Sequence, residues 1–545
     1  MRSTLVALII VASVGCGGTQ DGTSPPAQAS AGAAGAGGSA GSSGSAAGQA
    51  GNGGSPGAPS VAWAPCPLFS DGTGPEAQCA ELQVPLRATD PTGATIPMFV
   101  KRYRSATVEP TAQFIMLSGG PGAAATIYEK LTESLVAKDP TLEVYLPDHR
   151  GTGRSARLGC PDEEADGSLQ TFYVAPTEWP TCVDAIKKTW GDKLDAFNTT
   201  NAANDLGVLI DRVRRPGVKS IVYGASYGTS WAERYLQLHP SQADGVILDA
   251  IVPPGGSLAR QDQDADEAAK KMFDACAKDA GCQKRLGDDP RARALALYDK
   301  LDLGHCKKLG LYGPPRTIVR RMLGQMMMNE ETAHLIPAVI ARAERCEPQD
   351  TKALLYLEWY FYGRSGGTFG EVSVRQWGWY LSAQITFSEM WEAPSPTKEV
   401  LAEWRAPLAV SRDVTTGFDG SLEVVPRYAK DAYVGAYATT DTPMLMLQGD
   451  WDPATLSAKA QIVKTHFHGP YQTWVDIPGG GHGALGHQRN AAGASCGTSM
   501  ILQFVADPKQ PIDSSCLADA VPLSFDGSPA LNKTLFGTED LWGGL

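Results

Sequence analysis

The chain has 545 residues, 43% of them hydrophobic and 19% charged, with a formal net charge of −12. That modest acidic balance argues against nucleic acid, which would require a basic face.

The N-terminus reads Met1-Arg2, then an apolar stretch from Leu5 to Val14, then Gly15-Cys16. One positive charge, a short apolar segment and small residues before a cut site describe a secretory signal over residues 1–16. The apolar stretch is too short to span a bilayer. Its end resembles a bacterial lipobox, with Cys16 lipidated as the new N-terminus and Ser13 where a leucine-like residue usually stands. Residues 17–61 are nearly all Gly, Ala, Ser, Pro and Gln, cannot bury a core and read as a flexible tether. Membrane contact is therefore expected only through a lipidated Cys16, which gives a protein anchored in a bacterial cell envelope, or secreted.

The sequence contains eleven cysteines, so ten remain once Cys16 is set aside. An even number suits an oxidising compartment. They fall in close pairs, and the expected bridges are Cys66–Cys79, Cys160–Cys182, Cys276–Cys282, Cys306–Cys346 and Cys496–Cys516. None has Cys-x-x-Cys spacing, so a zinc or redox motif is disfavoured.

Beyond the tether roughly 485 residues remain, enough for one large domain with an insertion. Strand-length apolar runs cover 81–86, 96–104, 113–117, 143–147, 220–223, 246–249, 444–448 and 472–477. Helical patterns such as 201–213 and 229–238 lie between most of them. This alternation predicts an α/β fold with an eight-stranded, mostly parallel sheet covered on both faces. The expected core comprises residues 62–253 and 443–545. Residues 254–442 read as an inserted helical cap, with helices near 264–279, 291–301, 317–328 and 331–346. An aromatic stretch follows (Trp359 to Tyr362, Trp377, Trp379, Tyr380, Phe387, Trp391). These rings either fill the cap or line a cleft beneath it.

The run Ile221-Val222-Tyr223-Gly224-Ala225-Ser226-Tyr227-Gly228-Thr229 passes from a β-branched strand through Gly-x-Ser-x-Gly into a helix, the form of a nucleophile elbow. The tight turn demands small residues beside Ser226, hence Gly224 and Gly228. A serine hydroxyl needs a base oriented by a carboxylate, in the chain order Ser, acid, His. Among eight histidines, His482 lies in a Gly-rich loop after the run ending Ile477-Pro478. His487 is the alternative, and His466 and His468 read as solvated. The loop after 444–448 carries Asp450 and Asp452. Asp452, at the loop tip, is the expected acid, and Asp450 a loop-stabilising residue. The backbone N–H of Tyr227 and that of Gly120, in Leu117-Ser118-Gly119-Gly120-Pro121-Gly122, are the candidate oxyanion donors.

Gly-Gly-Pro-Gly, Asp148-His149-Arg150-Gly151-Thr152-Gly153-Arg154-Ser155, Asn201 with Asp205, the elbow, Gly-His-Gly and the Cys496/Cys516 tail together resemble the α/β-hydrolase peptidases of the prolyl aminopeptidase and tripeptidyl aminopeptidase family. The resemblance covers roughly 110–256 and 443–520. It implies the α/β-hydrolase fold, a triad of Ser226, Asp452 and His482, and an oxyanion hole from Tyr227 and Gly120. Ser118 stands where many members carry histidine. Family members cleave peptide substrates from a free N-terminus, which requires a carboxylate for the ammonium. Gln384–Glu389 resembles the segment where members place that acid after a cysteine, here replaced by Phe387. Glu389 is thus the candidate amine anchor, with a solvated surface glutamate the alternative.

No cofactor or metal is implied: there is no nucleotide loop, His-Glu-x-x-His or EF-hand pattern. The sequence leaves oligomeric state open. It points to a serine exopeptidase, with an esterase or other acyl hydrolase, or a catalytically silent binding protein on the same scaffold, as alternatives.

Overall fold

The computed structural model describes residues 61–165, 174–310, 313–363 and 376–544. Cys16, the leader and nearly all of the tether lie outside these residues.

Nine strands form one sheet: β1 Ala64–Pro67, β2 Glu76–Pro85, β3 Thr95–Arg104, β4 Ala112–Leu117, β5 Leu142–Pro147, β6 Lys219–Ser226, β7 Gly245–Ile251, β8 Met444–Gly449 and β9 Gln472–Ile477. Their order is β1-β2-β3-β5-β4-β6-β7-β8-β9. The pairs β1–β2, β2–β3 and β3–β5 are antiparallel, and every pair from β5–β4 to β8–β9 is parallel. The sheet thus has one strand more than the eight expected. The additional strand, β1, has the sequence Ala-Pro-Cys-Pro, which no strand propensity favours. It exists because it lies at an edge, where proline is tolerated, and because Cys66–Cys79 ties it to β2.

The central strands β4, β5, β7 and β8 are buried along their whole length. Alternate residues feed two cores. Ile115, Leu117, Val222, Val246, Leu248 and Met446 face the helices Thr199–Val213 and Tyr227–Leu238. Phe114, Met116, Ile221, Tyr223, Ile247 and Leu445 face Glu129–Lys138 and Cys496–Ala506. Period-2 alternation between two apolar layers is what a sheet covered on both faces requires.

Between β7 and β8 the chain builds a helical insertion with its own apolar core, including Met272, Leu297, Met322, Ile340 and Leu354. The C-terminal residues Phe525, Leu535, Phe536, Leu541 and Trp542 join this core rather than the sheet. Arg342 holds them there, donating to the carbonyls of Leu541 (2.6 Å) and Asp540 (2.5 Å). The cysteines are joined as Cys66–Cys79, Cys160–Cys182, Cys276–Cys282, Cys306–Cys346 and Cys496–Cys516, the pairs expected from their spacing.

Just past the carboxyl end of β5, Arg150 is buried and uses its whole fork. It bonds Asp205 through Nε (2.7 Å) and Nη2 (2.6 Å), and donates to the carbonyls of Leu86, Ala196 and Pro85. Burial pushes the Asp205 carboxyl up, and Arg150 offsets this only in part. Arg150→Met would strand a buried carboxylate and three carbonyls. The expected loss is about 3–5 kcal/mol of stability, to be read by urea unfolding at neutral pH. Asp205→Asn should be milder, because the carbonyl bonds survive.

Candidate active site

Strand β6 runs directly into the helix Tyr227–Leu238, and Ser226 sits at the junction with φ 57° and ψ −127°. This positive φ is strained for a residue with a side chain. The glycines make room for the turn. A Cβ on Gly224 would come within 2.2 Å of the Gly228 carbonyl oxygen, and one on Gly228 within 2.4 Å of that of Leu117. Gly119 lies against the nucleophile, since a Cβ there would be 3.0 Å from that of Ser226.

Asp452 follows β8 and His482 follows β9. His482 Nδ1 lies 3.0 and 2.9 Å from the two Asp452 oxygens. The carboxylate also accepts the N–H of Ala454 (2.8 Å) and of Thr455 (2.9 Å), and the Thr455 hydroxyl (2.6 Å). Burial alone would push the Asp452 carboxyl up, but the neighbouring imidazole and these donors outweigh it and hold it below the ordinary value. Asp452 therefore stays ionised through the neutral range and fixes the proton on Nδ1, which leaves Nε2 as the basic nitrogen. Asp450 instead accepts the Gly479 N–H at 2.5 Å and braces the His482 loop. His487 also faces the cavity, but burial pushes its pKa down to about 4, and its Nε2 contacts Asn329 at 3.5 Å rather than a carboxylate.

Ser226 and His482 line one cleft of about 930 Å³, with Gly120, Tyr128, Leu131, Met328, Asn329 and Trp377 among its walls. No hydrogen bond joins Ser226 to His482; such bonds commonly tighten only around substrate. Met328, Asn329 and Trp377 come from the insertion and were not singled out as a group from the sequence. Of the aromatic stretch, Trp377 reaches the cleft, whereas Tyr380, Phe387 and Trp391 are buried in the core.

The Gly119–Gly122 loop is latched to the insertion: Gly378 N–H donates to the Gly122 carbonyl and Ala124 N–H to the Gln376 carbonyl, both at 2.8 Å. Gly120 has φ 114°, open to glycine alone among common residues. Ser118, buried, ties the loop internally by donating to the Ala123 carbonyl at 2.6 Å. Tyr227 begins the helix after Ser226, where first-turn N–H groups have no intrahelical partner. Its ring is fixed from behind. His149 Nδ1 meets the Arg150 carbonyl at 2.7 Å, so Nε2 accepts from the Tyr227 hydroxyl at 3.2 Å. Burial pushes the His149 pKa down to about 4 and keeps that ring neutral.

Glu389 does not line the Ser226 cleft. It is buried, not a solvated surface residue, and occupies an adjoining crevice of about 420 Å³ with Tyr227, Glu233 and Arg234. Its carboxylate accepts the Thr199 N–H (3.0 Å) and the Tyr428 hydroxyl (2.7 Å), and pairs with Arg234 at 3.4 Å. A third hollow, sharing Ser226 and Gly120 with the main cleft, shares Tyr227 and Met390 with this crevice.

Among the described residues, one cluster has metal-like spacing, Cys160, Glu163 and Cys182. Its cysteines are disulfide-bonded to each other, which removes them as thiolate ligands. No described helix is long and apolar enough to cross a membrane.

Residues 113–281 match the family described as alpha/beta hydrolase fold, and residues 418–516 match the TAP-like protein family. The serine protease Hip1 of Mycobacterium tuberculosis is 28% identical over 271 residues, covering 44% of this chain and 49% of that protein. The tripeptidyl aminopeptidase of Streptomyces lividans is 27% identical over 271 residues, with the same 44% and 49% coverage. The match thus spans about half the length of these relatives. The solved proline iminopeptidase of Mycobacterium smegmatis is 15% identical, with a TM-score of 0.33 over 79% of this chain and 98% of that one. The strand order, the elbow at the end of β6 and the two matched segments together show that the chain has the α/β-hydrolase fold.

Proposed function

We propose that the protein is a serine exopeptidase that releases residues or short peptides from the free N-terminus of peptides. The observation that carries this reading is the convergence of a strained Ser226, an Asp452-oriented His482 and the glycine loop on one cleft. Ser226 Oγ attacks the scissile carbonyl while His482 Nε2 takes its proton. The oxyanion is held by the N–H groups of Tyr227 and Gly120. The imidazolium then protonates the departing amine, leaving an acyl-enzyme that water cleaves by the same route. The similarity to proteins named serine protease and tripeptidyl aminopeptidase favours amide over ester bonds. Glu389, beside Tyr227, is the proposed ammonium anchor. In that role it would share its carboxylate with Arg234, and a substrate would reach it through the adjoining hollow. The proposed location is the cell envelope, with Cys16 as the anchor; the five disulfides, which persist in oxidising compartments, support a place outside the cytoplasm.

The test is hydrolysis of aminoacyl and tripeptidyl fluorogenic amides beside p-nitrophenyl esters. Free-amine amides should be cleaved and their N-acetylated forms refused. Glu389→Gln should lose amide activity yet keep small-ester turnover; parallel loss of both would remove Glu389 as the anchor. Ester turnover alone would reassign the protein to general acyl hydrolysis. Silence on both, with no fluorophosphonate labelling, would make it a binding scaffold.

A further inference from the structure

Strand β7 carries Asp249 under the active site. It is fully buried, lines the Ser226 cleft, and has no part in the acyl transfer described above. Both its oxygens accept the N–H of Ala484, at 2.7 and 3.0 Å. Ala484 lies just past His482, across Gly483 (φ 91°). Oδ2 also accepts the Tyr223 hydroxyl at 2.8 Å, from the strand that ends on Ser226. One carboxylate thus grips the base loop and the nucleophile strand together. On the near side of the base, the His482 N–H donates to the Met328 carbonyl at 2.8 Å. The loop is therefore held on both sides of the imidazole. An ionised carboxylate in such a place is costly to bury, and backbone anchoring alone could be done by a neutral side chain.

We propose that Asp249 is a positioning residue, whose carboxylate sets the approach of His482 to Ser226 by clamping the backbone beyond the base. This rests on the acyl-transfer reading given above. The titratable groups facing Asp249 are Tyr223 from β6, Tyr128 from the short helix Ala125–Tyr128, and His482 itself. Burial pushes the Asp249 carboxyl up to about 6, against the opposing pull of the Tyr223 hydroxyl, the Ala484 N–H and His482. Above that pH both oxygens accept. Below it one oxygen carries a proton and the clamp loosens.

The sign for stability is opposite to that for function. A carboxyl raised above its ordinary value binds its proton more tightly when folded. Its ionisation therefore lowers stability as pH rises from about 4 to about 6, with no further change above. A neutral replacement should then leave the melting temperature at pH 8 unchanged or higher while impairing turnover.

The experiment compares the full chain, Asp249→Asn, Tyr223→Phe and Ser226→Ala on one ester substrate from pH 4.5 to 9. For Asp249→Asn, kcat should fall roughly 10- to 100-fold with KM within about twofold, as misplacement of a catalytic group does. The acidic limb of kcat/KM should show a dependence on two protons in the parent chain and on one in Asp249→Asn. Tyr223→Phe removes a donor to the carboxylate and should move the Asp249 step to higher pH. A parental kcat and an unchanged two-proton limb in Asp249→Asn would overturn the proposal, as would loss of activity in step with a lowered melting temperature. Turnover by Ser226→Ala above about a thousandth of the parental rate would instead overturn the underlying acyl-transfer reading.

Discussion

Ser226→Ala is expected to reduce turnover by about a millionfold while leaving the fold intact. Removing the nucleophile of a triad costs about as much as removing the whole triad, because the remaining members have no proton to move. The substitution is sterically benign. Alanine keeps the Cβ that sits against Gly119 and tolerates the same backbone as serine, and Ser226 has no cap hydrogen bond to lose. Relief of the positive φ is not available to alanine, so the strain stays. The check is kcat on the best fluorogenic substrate together with the melting temperature. A melting temperature within a degree or so of the parent chain and undetectable labelling by a fluorophosphonate are the expected outcome. Turnover retained at more than a thousandth of the parental rate would mean that another residue does the chemistry.

Asp452→Asn should lower kcat by about ten-thousandfold, more than its loss of charge alone would suggest. The carboxylate accepts from every partner it has: His482 Nδ1, two backbone N–H groups, the Thr455 hydroxyl and, at 3.4 Å, the Gln448 side-chain amide. An asparagine oxygen can keep the Ala454 and Thr455 contacts, but its amide then points an N–H at Nδ1. That selects the tautomer with the proton on Nε2, where the base must be free. Activity should partly recover at high pH, where hydroxide can assist. The stability effect has its own sign. The Asp452 carboxyl lies below its ordinary value, so it contributes stability above about pH 4 that is lost as pH falls further. The variant should therefore melt lower than the parent at pH 7, with the gap narrowing in acid. A gap that widened in acid would contradict the depressed carboxyl.

Much of this site was readable because its parts are local. The elbow is a strand, a tight turn and a helix in consecutive residues, and Gly224 and Gly228 are required by contacts that the turn itself creates. Asp452 and His482 each follow an apolar strand directly, so their positions at the sheet's carboxyl end follow from strand order. What was not readable depends on distant partners. Asp249 is only the last residue of the strand-length run 246–249 until Tyr223 and Ala484 are brought to it from separate segments. Trp377 reads as one aromatic among many, and only its pairing with Ala123 carries it to the cleft. Glu389 could be placed in the insertion but not relative to Ser226, because burial beside Arg234 is decided by how the insertion folds back. Strand β1 was missed for the same kind of reason, since its pairing with β2 and a crosslink make it, not its residues.

The pairing of β7 with β8 bridges the whole insertion: Val246 lies against Met444 and Asp249 against Leu447. The two halves of the proposed machinery are therefore separated in time as well as in sequence. A chain emerging from the ribosome presents Ser226 and its glycine loop long before Asp452 and His482 exist. It then holds a nucleophile with no base to activate it. Closing so long a gap is also slow, because non-local strand pairing must meet its loop-closure entropy before any contact rewards it. The order of synthesis alone thus keeps the unfinished chain inert, and any cut within residues 254–442 that released the C-terminal part would return it to that state.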